Sequence, residues 1–257
     1  MAHNTLPPKR PGTFYPKRGL ARLGLMVLMS VLSLISFGCA PEQFLRTSDG
    51  LKIAYEYHRA KEERGTAVLL HGYGSNLDEW YALRRFLNRR GWSTMAIDFR
   101  NHGSSDESPS HQRLASMAEQ KGYDLNEMTR DIDAALVAVD QSKPIWLIGS
   151  SLGANLALEA AGRHPEIAGL VLLSPVSSYG GLDSVSALSG LGKRPVFFAA
   201  SERDPSGAAK ICKDLLEKAQ GKKKLRVYRD AGHGSEMFEN ESKLKGEILS
   251  WLNQNIR

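Results

Sequence analysis

From Leu51 onward the chain alternates two kinds of pattern. Leu51–Tyr57 mixes apolar and polar positions in the way of a half-exposed antiparallel strand. Short continuous apolar runs follow at Ala67–Leu70, Ser93–Ile97, Ile145–Ile148, Leu170–Leu173, Val196–Ala200 and Leu225–Tyr228. Runs of Val, Ile and Leu without alternation suit strands covered on both faces, which implies a mostly parallel sheet. Between them lie amphipathic stretches predicted as helices: Leu77–Arg90, Asn126–Asp140, Leu152–Arg163, Ala208–Ala219 and Glu236–Asn255. Gly91, Gly162 and Gly221 stand where helix C-caps are expected. Strand and helix in regular alternation with short links imply one doubly wound α/β domain. No internal repeat, linker or low-complexity tract interrupts it.

The first 38 residues follow a different pattern. Five basic side chains (Lys9, Arg10, Lys17, Arg18 and Arg22) and no acidic one precede an apolar run from Leu23 to Phe37. Charge, then about fifteen mostly apolar residues, then small residues is the layout of an export signal. The run is shorter than the roughly 20 residues a spanning helix needs. Ser36-Phe37-Gly38-Cys39 resembles a bacterial lipobox, with Ser36 where that pattern usually has Leu. The expectation is therefore a signal over 1–38, a domain over 39–257, and a lipid on Cys39 that holds the protein at the membrane of a bacterial envelope. An uncleaved signal anchor and ordinary secretion are the alternatives.

Composition sharpens this division. The chain of 257 residues has 42% hydrophobic and 24% charged residues, ordinary values for a domain with a sizeable core. Its net charge of +6 suggests a polyanionic partner, but the excess sits in the leader. From Cys39 onward there are 29 basic residues against 28 acidic ones, so no nucleic-acid footprint is expected. With Cys39 lipidated, Cys212 stands alone and no disulfide forms. No His/Cys cluster has metal-ligand spacing, and no phosphate loop or cofactor fingerprint is present, so neither metal nor cofactor is expected. Nothing in the pattern specifies an oligomer.

In a doubly wound sheet, chemistry gathers at the carboxyl ends of the strands. Gly149-Ser150-Ser151-Leu152-Gly153 fits G-x-S-x-G with Ser151 at its centre, between an apolar strand and an Ala/Leu-rich helix. Ser150 does not fit, because Ile148 and Leu152 flank it at two residues. A serine on such a turn needs small neighbours and gains from the helix N-terminus beneath it. It also needs a base. Of seven histidines, His233 alone lies between glycines after the last strand, while His71 and His102 are assigned to packing or loop bonding. For the acid that orients the base, Asp204 after Val196–Ala200 is preferred to Asp230, too close to His233 in sequence, and to Glu202.

The order Ser151…Asp204…His233 resembles that of the α/β-hydrolases. From about Leu51 the chain resembles their serine esterase, monoacylglycerol-lipase-like group, of the S33 type. The matching elements are His71-Gly72-Tyr73-Gly74, Asp98-Phe99-Arg100-Asn101-His102-Gly103, the Ser151 elbow, Asp204 and His233. Asn101 departs from that group, which often has Gly there. The resemblance implies an α/β-hydrolase fold with a minimal cap and an oxyanion hole from the backbone N–H groups of Tyr73 and Leu152. It also implies hydrolysis of small-molecule carboxylic esters through an acyl-enzyme on Ser151. A peptidase or thioesterase would use the same triad, and a catalytically silent binding protein would share only the fold. The stretch from Val176 to Pro195 is Ser/Gly-rich, and predicts one short helix rather than a lid. The loop Glu107–Asp124 is the other segment able to lengthen the groove, through Leu114 and Met117.

Overall fold

The computed structural model describes residues 43–105 and 125–256. The leader, Cys39 and the loop 107–124 lie outside the described residues. Among the described residues there are ten strands: β1 Gln43–Arg46, β2 Lys52–His58, β3 Thr66–Leu70, β4 Ser93–Ile97, β5 Ile145–Ser150, β6 Ile167–Leu173, β7 Ser178–Tyr179, β8 Leu182–Asp183, β9 Val196–Ser201 and β10 Lys223–Tyr228. The α-helices are α1 Tyr81–Asn88, α2 Thr129–Ala138, α3 Leu152–Arg163, α4 Ser184–Leu191, α5 Ala208–Lys218, α6 Met237–Asn240 and α7 Leu244–Gln254. Eight strands form one sheet in the order β1-β2-β4-β3-β5-β6-β9-β10. It is antiparallel at β1–β2 and β2–β4 and parallel from β4 to β10.

The uninterrupted apolar runs have a direct cause. In β3, Val68 and Leu70 face the helices α2–α5, while Ala67 and Leu69 face α1, α6 and α7. β5 repeats this with Leu147 on one side and Trp146 and Ile148 on the other. Both sides of each central strand leave water, so both parities must be apolar. Burying one such Leu, Ile or Val contributes about 1.5–3 kcal/mol. β10 lies at an edge, which explains its charged Lys223, Lys224 and Arg226.

Four details depart from the sequence reading. β1 was not anticipated; it pairs with β2 as the other edge of the sheet. Gly162 lies inside α3 rather than at its cap, and its Cα is where a Cβ on Gly190 would strike, at 2.5 Å, so the two glycines let α3 and α4 approach closely. Helix α5 ends at Lys218, before Gly221, whose small size instead accommodates the Lys193 carbonyl. The long C-terminal helix breaks at 241–243 into α6 and α7. The expected single short helix between β6 and β9 exists as α4, preceded by the β7–β8 hairpin. It lies against α3, with Leu182, Leu188 and Leu191 buried and Val185 exposed. Among the described residues no helix is long and apolar enough to cross a membrane.

Candidate active site

β5 and α3 meet at Ser151, whose backbone adopts φ 52° and ψ −113°. That conformation is costly for a side-chain-bearing residue and persists only where the surroundings enforce it. Here they do. A Cβ on Gly149 would lie 2.3 Å from the Gly153 carbonyl oxygen, and one on Gly153 2.1 Å from that of Leu70. The elbow is thus wedged against the end of β3, and Ser151 N–H donates to the Leu173 carbonyl at 2.8 Å.

Ser151 opens into a cavity of about 560 Å³ that His233, Tyr73, Leu152 and Val176 also line. Val176 is held there by α3, since the Asn155 amide both donates to its carbonyl (2.8 Å) and accepts from its N–H (3.0 Å). His233 sits on the loop after β10. Its Nδ1 lies 2.6 Å from Asp204 Oδ2, although 29 residues separate the two. Burial would raise the Asp204 carboxyl, but the Ser206 hydroxyl and N–H, with His233, outweigh it and hold Asp204 below its ordinary range. Asp204 is therefore an anion beside the imidazole, suited to fixing its tautomer. Asp230 instead points outward to Arg203 at 2.6 Å, and Glu202 is exposed.

The expected oxyanion loop is set by a histidine. His71 Nε2 accepts from Phe99 N–H (3.0 Å), so Nδ1 carries the hydrogen and donates to the Gly72 carbonyl (2.7 Å). Burial lowers this histidine to about 3, so it stays neutral and keeps that polarity. The bond fixes the plane of the Gly72–Tyr73 peptide, the one that contains the Tyr73 N–H. Leu152, the other expected donor, opens α3, where the helix dipole favours developing negative charge. Asn101 has φ 63°, a left-handed conformation that Asn tolerates better than other side-chain-bearing residues, which accounts for its replacing glycine.

Sequence reasoning missed several groups that hold the histidine loop. Glu236 Oε2 accepts from His233 N–H (3.0 Å), and Ser174 Oγ accepts from Gly234 N–H (3.0 Å). Ser150 Oγ accepts from Ser235 N–H (3.2 Å), and Ser201 Oγ accepts from Ala231 N–H (2.9 Å). Glu236 alone left a local signal, an acceptor three residues after the residue it caps. Missed too was Glu79, on the 3₁₀ turn Leu77–Trp80, which lines the same cavity. Among the described residues no cluster of His, Cys, Asp or Glu could hold a metal ion.

A strained serine elbow at the end of the fifth strand and a His–Asp pair on the last two loops of a mostly parallel sheet define the α/β-hydrolase architecture. Residues 67–188, slightly under half of the chain, match the family model described as alpha/beta hydrolase fold, and the sheet topology is that of this fold. It is 28% identical over 134 residues to the sn-1-specific diacylglycerol lipase ABHD11 of Danio rerio, covering 52% of this chain and 38% of that one. Over 129 residues it is 29% identical to the 2-(acetamidomethylene)succinate hydrolase of Mesorhizobium japonicum, covering 49% and 42%. The match thus spans well under half the length of these relatives. The solved structure of the Pyrococcus furiosus esterase Pf2001 superposes with a TM-score of 0.70 at 18% identity, over 84% of this chain and 91% of that one.

Proposed function

We propose that this protein is a serine hydrolase that cleaves carboxylic esters of small molecules. One observation carries the reading: His233, 2.6 Å from a buried Asp204, faces the same cavity as a serine in a strained elbow. The lipase and esterase names borne by a relative and a structural neighbour support the ester class.

In this mechanism Ser151 Oγ attacks the ester carbonyl while its proton passes to His233 Nε2. Asp204 stabilises the imidazolium, and the oxyanion lies against the N–H groups of Tyr73 and Leu152. Loss of one such donor typically costs about 3–4 kcal/mol of barrier. The carbon–oxygen bond then breaks, and the alcohol leaves with the proton from His233. Water attacks the acyl-Ser151 ester, gives a proton to His233, and releases the acid with Ser151 restored. A fluorophosphonate probe tests the reading: stoichiometric labelling, abolished in Ser151→Ala, is expected, and a silent binding protein would remain unlabelled. A panel of matched esters, amides and thioesters then separates an esterase from a peptidase or a thioesterase.

The same reading puts the enzyme in a bacterial envelope, anchored by a lipid on Cys39. Its support is the sequence of the leader. Labelled palmitate incorporated into the full chain and lost in Cys39→Ser is the expected result; unchanged labelling, size and membrane partition in Cys39→Ser would instead mean an uncleaved anchor.

A further inference from the structure

The proposed triad leaves one buried titratable group of its own cavity unused. Glu79 Oε2 accepts from Gly72 N–H at 3.4 Å, while Oε1 is buried without a partner. The hydroxyls of Ser75 and Ser150 face its carboxyl and favour its ionised form. Ser150 is a junction in its own right. A Cβ on Gly234 would lie 2.2 Å from Ser150 Oγ, and one on Gly72 3.7 Å from it, so two loops close directly over this hydroxyl. Because Ser150 Oγ accepts from Ser235 N–H, its own hydrogen is left to donate toward Glu79. The histidine loop thus donates to the elbow hydroxyl, and the elbow hydroxyl faces the carboxylate. Gly72 and Ser75 reach the same carboxylate from the oxyanion loop.

We propose that Glu79 is the common acceptor of a buried hydrogen-bond hub, centred on the Ser150 hydroxyl, that keeps the oxyanion loop, the elbow and the histidine loop in register, and that turnover requires Glu79 as the carboxylate. This rests on Ser151 being the nucleophile. A carboxylate accepts from every one of these donors, whereas a protonated carboxyl adds a donor and asks one hydroxyl to turn round. Burial pushes Glu79 up to about 7, against the pull of Ser75, Gly72 N–H, Ser150 and His233, so the two forms exchange near neutral pH. The charged groups around it are His233 and Glu236 on the histidine loop and Asp78 on its own turn; on the other side Asp98 accepts from Leu77 N–H. Glu79 is a positioning residue, since it acts through the loops.

The test is the pH profile of kcat/KM for the full chain with p-nitrophenyl acetate, beside fluorophosphonate labelling. In wild type the loss of the Glu79 proton adds one to the limiting logarithmic slope of the acid limb, bringing it to about two. Glu79→Gln keeps an acceptor for Gly72 N–H but sets an amide donor against a serine hydroxyl. A fall of about tenfold in kcat is expected, with KM little changed and a limiting slope of about one. Ser150→Ala removes a bond that favours the anion, so it moves one ionisation to higher pH and leaves the slope at about two. An unchanged slope and rate in Glu79→Gln, or an unmoved acid limb in Ser150→Ala, overturns the hub while leaving the nucleophile intact. Failure of wild type to label and turn over overturns the hub and the serine-hydrolase reading together.

Discussion

The elbow and the histidine loop line one cavity and are held by different physics. At the elbow, Gly149 and Gly153 leave no room for a Cβ, and the strain at Ser151 is imposed by packing against β3 and β6. At the histidine loop, position comes from hydrogen bonds donated by the backbone of 231–235 to side chains of Ser201, Ser174, Ser150 and Glu236. The first arrangement has no soft coordinate; the second has several bonds, each worth little alone. A site built this way keeps its serine rigid and leaves the setting of its histidine adjustable.

The largest expected effect lies at the elbow. Ser151→Ala should lower kcat/KM for p-nitrophenyl acetate by about 10⁴-fold or more. Full activity in that variant would sink the mechanism, not just one residue's role. Close behind, Asp204→Asn should cost about 10³–10⁴-fold by permitting the wrong imidazole tautomer, whereas Asp230→Asn, in an exposed pair with Arg203, should stay within about twofold of wild type.

The comparison itself breaks or holds on a third pair of variants. Gly153→Ala places a methyl group 2.1 Å from the Leu70 carbonyl oxygen, and should cost about 3 kcal/mol or more in denaturant unfolding. Ser174→Ala, which removes an acceptor for Gly234 N–H, should cost about 1–2 kcal/mol of stability and about tenfold in kcat. If Ser174→Ala unfolds the protein as readily as Gly153→Ala, the two regions are not held differently.

A smaller effect concerns the Glu79 carboxyl. Glu79 is raised from 4.5 to about 7, so the folded state holds its proton more tightly than the unfolded chain does. Stability is therefore lost as pH climbs between those values, and Glu79→Gln escapes that loss. The variant should gain on wild type by up to about 3 kcal/mol between pH 4.5 and 8, read from urea midpoints at each pH. A constant difference across that range would show that Glu79 does not ionise there. Smallest of all, an ester series from acetate to palmitate should give a kcat/KM that is flat or falling beyond about six to eight carbons. Among the described residues only Val176 of the 176–195 segment lines the cavity, so no deep apolar wall supplies the roughly 0.8 kcal/mol per CH₂ that longer chains would need. A tenfold preference for the longest chains would point to a wall outside that segment.

The elements legible in the sequence are those whose causes are local. Continuous apolar runs announced strands covered on both faces, and the glycines at two residues on either side of Ser151 announced a turn without room for side chains. The order of serine, acid and histidine along the chain was legible as well, and the closeness of Asp230 to His233 in sequence marked Asp204 ahead of it. Edge strand β1 escaped notice because four residues at a sheet edge need no apolar pattern. The break between α6 and α7 escaped because an amphipathic pattern runs through 241–243 without a proline or glycine to mark it. Ser150, Ser174 and Glu79 carry no local mark at all: Ser174 and Ser150 acquire their parts only when a loop 60 and 85 residues away closes on them. Sequence alone thus determined the strands, the strained serine and the carboxylate that meets the histidine, since sterics and chain order act over a few residues. The tertiary structure alone decided which hydroxyls meet which backbone N–H groups and how far burial raises Glu79, since hydrogen bonding and desolvation depend on what the fold brings together.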